Sequence, residues 1–388
     1  MYNFNIKKSP YSAVGDYVTD DTAAIQAAIN DAEAVGGKLI APYGRYHTSA
    51  PLVISDHLLI EGDGYSDDGG ALYSAGYGGI PLVFNSNLKG TVFYPGAHDT
   101  FQVTSNNAIQ MQGFQICYNQ SAPSGSNLIG IHNSPTSGIN CRSVFRDIAI
   151  QNADNGIFMN NMLEFRIDNV NVLNGFTNSV VIGNPAYPSF GDSSIQNCTL
   201  WGSKVLTAHI NVMSHGGLRV INNKLNDGNP TASSGILFNP SLSVAQNMEP
   251  VVVVGNSIEG QAVGINFVNG HPTTASMTEV AISGNQIWSG VNAILANTSG
   301  TGKWLNGFSI CGNVLMTLTG VAQPVVLIDN AMMGIICGNQ FAFSGGGSGT
   351  AWILGALTTN INVQSNIYGP GLTGNNAGSG NTVGGGSA

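Results

Sequence analysis

Six short segments in the second half of the chain share one pattern, which limits the possible folds more than any other feature. In each segment an aliphatic residue lies three positions before an asparagine, and an apolar or aromatic residue lies two positions after it. A repeat of about 20 to 50 residues is typical of proteins built from stacked units. The spacings are 33, 29, 28, 26 and 27 residues, and the asparagines are Asn223, Asn256, Asn285, Asn313, Asn339 and Asn366.

Each repeat is long enough for three short strands, such as 251–254, 257–259 and 264–267. Three strands joined by turns form one coil of a parallel β-helix. An asparagine at the same corner of every coil can hydrogen-bond the next asparagine and the turn backbone. Aliphatic residues would then stack inside the coils, about 4.8 Å apart. The repeat therefore predicts an all-β fold, a right-handed, three-sided parallel β-helix (a solenoid).

The first part of the chain contains one convincing helix pattern, over residues 20–36. Its apolar residues follow the helical spacing and form one stripe, made of Ile25, Ala28, Ile29 and Ala32. Asp20 or Asp21 can cap the start of this helix, and Gly36-Gly37 ends it. A short helix here would act as an N-terminal cap over the exposed strand edges. The expected regions are, in chain order, a lead (1–19), the helix-capped β-helix (20–368) and a tail rich in Gly, Asn and Ser (369–388).

Charge and composition argue against several classes of partner. Only 9% of residues are charged, against about a quarter in an average globular protein. The net charge is −9 with 12 lysines and arginines, so we expect no nucleic-acid partner, which requires a dense basic surface. No run approaches about 18 apolar residues, so no membrane insertion is expected. The first residues also lack the apolar run of a signal peptide.

The cysteines do not predict a disulfide framework or a metal site. There are five, at 117, 141, 198, 311 and 337, which are too few and too scattered for such a framework. Cys311 and Cys337 each lie two residues before a repeat asparagine, so we expect them to stack on neighbouring coils as reduced, partly buried thiols. No CxxC motif or histidine-rich pair indicates zinc.

The N-terminal segment resembles the pectate lyase superfamily. More narrowly, it is similar to the β-helix start of phage tailspikes, of family 28 and 55 glycosidases and of related bacterial enzymes. Tyr17 departs from the pattern, since the family has the second glycine of Gly-Asp-Gly there. The resemblance implies a β-helix that acts on carbohydrate, but lyases, hydrolases, epimerases and binding proteins share this scaffold. The matching residues are Gly15-Asp16-Tyr17-Val18-Thr19-Asp20-Asp21-Thr22, Gly36-Gly37, Pro42-Tyr43-Gly44 and Ile60-Glu61-Gly62-Asp63-Gly64.

The resemblance implies that activity lies on one sheet and its flanking loops. We assign this sheet to the strands 156–159, 179–182, 208–212, 235–238 and 264–267. The loops after them carry four candidate catalytic residues, each one coil beyond the last: Glu164, Asp192, His215 and Glu249.

Coil spacing suggests how these residues could work together. Carboxyl groups on adjacent coils would lie about 5 Å apart, as in retaining glycosidases, which fits Glu164 with Asp192. Two coils give roughly 9.6 Å, close to the upper limit for an inverting pair, which fits Asp192 with Glu249 across His215. Ser214-His215-Gly216 resembles the Gly-His-Gly of polygalacturonases, but the other motifs of that family are missing, so we do not expect ordinary polygalacturonase activity.

Four further residues are candidates for binding substrate. His209 is expected to point outward, because Ala208 and Ile210 would face inward, and it could contact sugar hydroxyls or act in acid–base catalysis. Tyr187 and Phe190 belong to the same loop as Asp192 and could stack on sugar rings. Asp154 is the fourth candidate.

A β-eliminating lyase is an alternative interpretation. Such an enzyme needs a basic residue beside Ca²⁺ held by clustered carboxylates. The candidates for that cluster are Asp154, Glu164, Arg166 and Asp168. Asp168 is expected at the corner of the asparagine ladder, away from the assigned sheet. A net charge of −9 also disfavours a polyanionic substrate unless calcium bridges it.

Taken together, the sequence predicts a polysaccharide-degrading glycoside hydrolase, similar to tailspike depolymerases, that requires no cofactor. Ca²⁺ is expected only for the lyase. A third hypothesis is a non-catalytic protein that binds glycans or serves as a structural solenoid. The resemblance to tailspikes suggests a homotrimer that is extracellular or part of a phage tail.

Overall fold

A computed structural model describes residues 2–65, 90–118, 128–135, 140–183, 191–202, 207–214, 216–239, 248, 250–268, 277–297, 305–317, 323–344 and 349–384. The chain divides into two compact units. Unit 1 comprises Met1–Val181 and Asn197–Val205, and unit 2 comprises Ile182–Gln196 and Leu206–Ala388.

The described residues form one helix, α1 (Thr22–Glu33), and many short strands. The strands up to residue 201 are β1 (Asn3–Asn5), β2 (Asp16–Asp20), β3 (Lys38–Ala41), β4 (Gly44–Thr48), β5 (Leu52–Ile54), β6 (Leu58–Gly62), β7 (Thr91–Pro95), β8 (Phe101–Val103), β9 (Ile109–Cys117), β10 (Ile129–Asn133), β11 (Asn140–Cys141), β12 (Val144–Gln151), β13 (Asn155–Met159), β14 (Met162–Leu163), β15 (Arg166–Leu173), β16 (Asn178–Ile182), β17 (Ser193–Gln196) and β18 (Thr199–Trp201). The strands that follow are β19 (Ala208–Val212), β20 (Leu218–Ile221), β21 (Lys224–Asn226), β22 (Ser234–Phe238), β23 (Val251–Val254), β24 (Ser257–Glu259), β25 (Val263–Val268), β26 (Met277–Ser283), β27 (Gln286–Ser289), β28 (Asn292–Asn297), β29 (Leu305–Cys311), β30 (Val314–Thr317), β31 (Val326–Ile328), β32 (Ala331–Cys337), β33 (Gln340–Phe343), β34 (Gly349–Leu354), β35 (Thr359–Gln364), β36 (Ile367–Tyr368), β37 (Leu372–Asn376) and β38 (Thr382–Val383).

Unit 2 is a stack of three-sided parallel coils. The first face holds the strands before the repeat asparagines, from β20 and β23 to β35. The second face holds those after them, from β21 and β24 to β36, and the third face holds β19, β22, β25, β28, β31, β34 and β37. Neighbouring strands on each face are parallel and in register, for example Val220 with Val253 and Ile258 with Ile287. The predicted right-handed parallel β-helix is therefore confirmed.

The repeat asparagines form the predicted ladder along one corner of unit 2. Nδ2 of Asn256 donates to Oδ1 of Asn285 at 2.9 Å and to the carbonyl of Val220 at 2.9 Å. The backbone N–H of Asn256 donates to the same Oδ1 at 2.9 Å. The same contacts recur from Asn223 to Asn366, and these side chains are almost completely buried. The ladder thus satisfies backbone groups that the sharp corner would otherwise leave unpaired.

A left-handed backbone conformation precedes each ladder asparagine. Gly284 has a φ of +63°, and the nearest described atom to an added Cβ would be N of Gly255, at 4.0 Å. Asn222 holds the same corner position one coil before Gly255, with a φ of +54°. Glycine adopts this region without steric cost, and asparagine tolerates it.

Changing Gly284 to Ala is expected to lower the free energy of unfolding by about 1 kcal/mol, because a Cβ is unfavourable in the left-handed region even where space is available. Urea denaturation measures the difference. The matched control is Asn222→Gly at the same corner, which should be neutral or slightly stabilising. Equal stability of Gly284→Ala and the wild type would contradict this explanation.

The coils of unit 1 have the same strand arrangement, but a different type of residue occupies the corner. The position that corresponds to the ladder asparagine is apolar, and Phe114, Ile148 and Val170 stack there in register. Each follows a residue with positive φ, and Nδ2 of Asn169 donates to Oδ1 of Asp147 at 2.7 Å. A second sheet of unit 1 contains β5, β8, β10 and β13, and the ring of Phe101 on β8 lies 5.5 Å from that of Phe114 in this stack.

The N-terminal helix is confirmed, and Asp21 is its N-cap residue, although the Asp21 side chain makes no capping hydrogen bond. All four residues of its predicted apolar stripe are fully buried. Asp21 is the N-cap residue, but its carboxylate accepts N–H groups of Val14 and Gly15 rather than of the helix. Asp20 instead accepts N–H of Thr22 at 3.0 Å. Asp21 therefore ties the lead segment to the helix start.

The prediction of reduced thiols at 311 and 337 is wrong, because Cys311 and Cys337 form a disulfide. The two residues are register partners on β29 and β32, with a Cα–Cα distance of 4.7 Å. This separation lies within the range of about 4.4 to 6.8 Å that a disulfide requires. The sequence predicted that the two cysteines stack on neighbouring coils, but it did not predict the disulfide between them.

Both terminal regions continue the strand stacking. In the lead, β1 and β2 pair in parallel with β3 and β4. In the predicted tail, β37 and β38 pair with β34 and β35. In the described part of the chain, no helix is long and apolar enough to cross a membrane.

Candidate functional site

Asp192 lies in unit 2, immediately before β17. Its side chain is 77% exposed, and Oδ1 lies 3.9 Å from a guanidinium nitrogen of Arg219 on the adjacent strand β20. Ser193 is in register with Leu218, and Leu218 is in register with Val251. An exposed carboxylate at a strand end can take part in acid–base chemistry.

Four other predicted site residues, Glu249, His215, Tyr187 and Phe190, lie outside the described residues. The described neighbours of Glu249 and His215 belong to the same part of unit 2 as Asp192. The carbonyl of Pro250 accepts N–H of Leu218 at 3.1 Å, and that of Gly217 accepts N–H of Ser193 at 2.9 Å. The roles of these four residues stay predictions.

Glu164 belongs to unit 1, so it and Asp192 lie in different compact units. Its Oε2 accepts Nε–H of Arg142 at 2.8 Å, and both side chains are exposed. Glu164 occupies a turn with a φ of +51°. The proposed pairing of Glu164 with Asp192 therefore stays a prediction.

The predicted substrate contact of Asp154 conflicts with its position, because this residue is buried. Oδ1 accepts the hydroxyl of Thr177 at 2.5 Å, and the backbone carbonyl accepts N–H of Thr177 at 2.9 Å. These bonds hold the turn before β16. Asp154 therefore orders a turn and is not available to a sugar from solvent.

The predicted outward orientation of His209 is wrong, since its side chain is fully buried. The register partners of its neighbours place it beside Gly235 on β22. A Cβ added at Gly235 would lie 2.5 Å from Ile258 Cγ2 in the core, so this position faces inward. The side chains of β19 do not alternate strictly between inward and outward positions, so the orientation predicted from alternation is wrong for His209.

Burial lowers the pKa of His209 to about 3, from an ordinary value of 6.5, although a hydrogen bond to the backbone of Asn226 partly opposes the shift. Between these two values the unfolded chain binds a proton that the folded protein does not. Stability should therefore fall by about 1.4 kcal/mol per pH unit as the pH drops from 6.5 towards 3, with no contribution above that range.

His209→Asn is expected to remove this part of the acid sensitivity, because an amide does not titrate. Urea denaturation midpoints of both proteins, measured from pH 8 to pH 4, provide the comparison. If the two proteins show the same dependence on pH, His209 is not the group responsible.

The structure separates the residues predicted to bind calcium in a lyase. Glu164 pairs with Arg142, and Asp154 binds Thr177. Asp168 accepts Nη2–H of Arg166 on the outward side of β15, and Val170 rather than Asp168 holds the corner position. Among the described residues, no three His, Cys, Asp or Glu side chains form a group that could hold a metal ion. The proposed acidic residues therefore do not fit a calcium site as they are arranged.

A histidine–aspartate pair on the second sheet of unit 1 was missed. Nδ1 of His132 lies 2.8 Å from Oδ2 of Asp99, whose Oδ1 accepts N–H of Ile129 at 2.9 Å. The His132 side chain is 26% exposed. Its register partners on the adjacent strands are Gln102 and Phe158, and the His132 and Phe158 rings lie 5.3 Å apart.

This arrangement suits proton transfer beside a sugar. The Asp99 carboxylate fixes the imidazole by accepting a hydrogen bond from Nδ1–H. No described residue forms a hydrogen bond with Nε2 of His132. Gln102 can hydrogen-bond hydroxyls, and Phe158 provides an apolar surface. The alternation around Ile131 and His132 indicates an outward histidine, but Asp99 lies 33 residues earlier in another coil. No local pattern in the sequence joins the two.

Comparison with known proteins agrees with the fold. The family model for rhamnogalacturonase A/epimerase, pectate lyase-like, matches residues 4–265. Two structures are similar over nearly the whole chain. One is the A-module of the mannuronan C-5 epimerase AlgE6 from Azotobacter vinelandii, with a TM-score of 0.67 and 16% identity over 98% of this chain and 99% of that chain. The other is DFA-IIIase from Arthrobacter chlorophenolicus A6 in complex with DFA-III, with a TM-score of 0.61 and 12% identity over 94% of each chain.

No curated protein matches the sequence significantly. At such low identities the two structures establish the β-helix fold alone. The family model covers more than half of the chain and agrees with the N-terminal motifs and the stacked coils. The chain therefore belongs to the rhamnogalacturonase A/epimerase family of pectate lyase-like proteins, a family of carbohydrate-acting enzymes.

Proposed function

We propose that the protein degrades a long polysaccharide by hydrolysing its glycosidic bonds. The observation that carries the proposal is the exposed carboxylate of Asp192, which lies immediately before β17, a strand that pairs in register with β20 of the first face. Family membership supports a carbohydrate substrate.

The sequence offers a second carboxyl group, that of Glu249, shortly before β23. Ser193, next to Asp192, lies two strands from Val251, and Glu249 precedes Val251 by two residues. Two strand spacings amount to about 9.6 Å, near the upper end of the separation that inverting glycosidases use. In this mechanism one carboxylic acid protonates the glycosidic oxygen as the C–O bond breaks. The other carboxylate takes a proton from the water that attacks the anomeric carbon.

The products formed from a panel of polysaccharides test the proposal. Rhamnogalacturonan, polygalacturonate, alginate and a fructan should be incubated with the protein, and reducing ends and unsaturated-uronate absorbance followed together. We expect new reducing ends without that absorbance from one substrate. Absorbance that rises with the reducing ends would contradict hydrolysis, and binding without any cleavage would favour the non-catalytic alternative.

A β-eliminating lyase is the second candidate, and the pair of His132 and Asp99 is the observation that favours it. An imidazole fixed through Nδ1 can use Nε2 to take the C5 proton next to a uronate carboxylate, after which the C4–O bond breaks, a C4–C5 double bond forms and the leaving oxygen takes a proton from water. In this case His132→Gln should abolish the absorbance signal. Under the hydrolase proposal the same variant should keep most of its activity.

We further propose a homotrimer of the tailspike kind that acts outside the cell or on a phage tail. The molar mass in solution, measured by light scattering, tests the assembly, since the chain has a mass of 40.2 kDa. A mass about three times larger is expected, and a monomer at all concentrations would contradict the trimer.

A further inference from the structure

Three adjacent strands of unit 1 present a regular array of side chains on their outward side, five of them polar. One row joins Gln110 on β9, Val144 on β12 and Arg166 on β15, which are register partners. The next row joins Gln112, Arg146 and Asp168. These six side chains, which we call the arginine array, line a cavity of about 250 Å³ together with the buried Met111.

Each arginine of the array is fixed by one hydrogen bond. Nε–H of Arg146 donates to Oε1 of Gln112 at 2.6 Å, and Nη2–H of Arg166 donates to Oδ2 of Asp168 at 2.5 Å. Gln112 is held in turn, since its Nε2 donates to Glu61 at 3.1 Å. The guanidinium groups are therefore oriented before any ligand arrives, which reduces the entropy lost on binding.

Most of the donors in the array are still available. Within the described residues, no acceptor contacts Nη1 or Nη2 of Arg146, or Nε of Arg166. Both arginines are exposed, as is Gln110. Asp168 already accepts from Arg166 and, through Oδ1, from Asn197 at 2.9 Å.

The local charge of the array is positive, although the net charge of the whole protein is −9. Two arginines face one aspartate, and the nearby carboxylate of Glu61 forms an ion pair with Lys38. Charges separated by more than about 8 Å are largely screened at physiological salt. The groups within the cavity, rather than the net charge, therefore decide whether an anion binds there.

We propose that the arginine array binds the carboxylate of a uronic acid residue in an acidic glycan. Guanidinium groups match a carboxylate with paired N–H donors, and the Gln110 amide can bind ring hydroxyls. A cavity of this volume is smaller than a typical ligand pocket of about 300 to 1,000 Å³, so it suits one sugar unit rather than a chain. The choice of a sugar as ligand rests on the proposed action on polysaccharides. The array itself belongs to unit 1, whereas Asp192 belongs to unit 2.

Calorimetric binding of trisaccharides tests this inference, with galacturonate and mannuronate trisaccharides each offered as the free acid and as the methyl ester. The ester keeps the sugar hydroxyls but removes the charge. We expect at least one acid to bind about tenfold or more tightly than its ester. The double variant Arg146→Gln, Arg166→Gln should remove that preference, and each single variant should weaken it.

Arg142→Gln is the matched control, because Arg142 is an exposed arginine next to β12 that pairs with Glu164 outside the array. It should leave the preference unchanged. Equal binding of acid and ester, a preference that survives in the double variant, or acetate binding as tightly as the sugar acid would each overturn the inference. If no polysaccharide is cleaved but the preference still depends on both arginines, only the hydrolase proposal fails.

Discussion

Asn285→Leu is expected to lower the free energy of unfolding by about 3 to 4 kcal/mol. Asn285 is 1% exposed in the middle of the ladder. Its Nδ2 donates to the carbonyl of Val253 at 2.9 Å, and its Oδ1 accepts both N–H and Nδ2–H of Asn256. Leucine would leave the Val253 carbonyl and the Asn256 N–H buried without these partners, and each such group costs about 1 to 3 kcal/mol.

Urea denaturation of Asn285→Leu against the wild type measures this effect. Asn375→Leu is the control, because Asn375 is an exposed strand residue and its replacement should change stability by less than about 0.5 kcal/mol. If Asn285→Leu lost less than 1 kcal/mol, the ladder would not be the source of stability that its hydrogen bonds indicate.

Asp192→Asn is expected to reduce the rate of glycan cleavage by about 10³-fold, because an amide cannot transfer a proton at neutral pH. The side chain is 77% exposed, so the substitution should not disturb packing. Initial rates of reducing-end release, with circular dichroism to verify folding, provide the measurement.

Glu259→Gln is the matched control for Asp192→Asn. Glu259 is an exposed carboxylate of the same unit, at the end of β24 on the second face, and its loss should leave the rate unchanged. A rate for Asp192→Asn above a tenth of the wild-type rate would show that the carboxylate does not transfer a proton in the slow step.

Tyr17 shows how the tertiary structure accommodates a departure from the family pattern. The position has a φ of +78°, which explains the glycine found there in the family. Tyr17 adopts this conformation at a cost of about 1 to 2 kcal/mol. Its ring packs edge-on against Tyr94 at 4.8 Å, a contact that glycine could not make.

The candidate site was less predictable than the fold, because contacts between residues of different coils depend on how the coils stack. Asp192 is predicted from its place in a loop after a strand; the structure shows it exposed, and its role stays a prediction. His209 was misplaced, since the strand departs from strict alternation beside Gly235. The pair of His132 and Asp99 was missed, because partners from different coils leave no local signature.

The coil can be predicted from local patterns, since asparagines at one corner and aliphatic residues in a fixed relation to them recur in every turn of a parallel β-helix. The contacts between side chains of neighbouring coils, such as Cys311 with Cys337 and Arg146 with Asp168, could not be predicted in this way. These contacts depend on strand register. Coil lengths vary with their loops, so the partner of a residue on the next strand depends on strand pairing rather than on sequence distance.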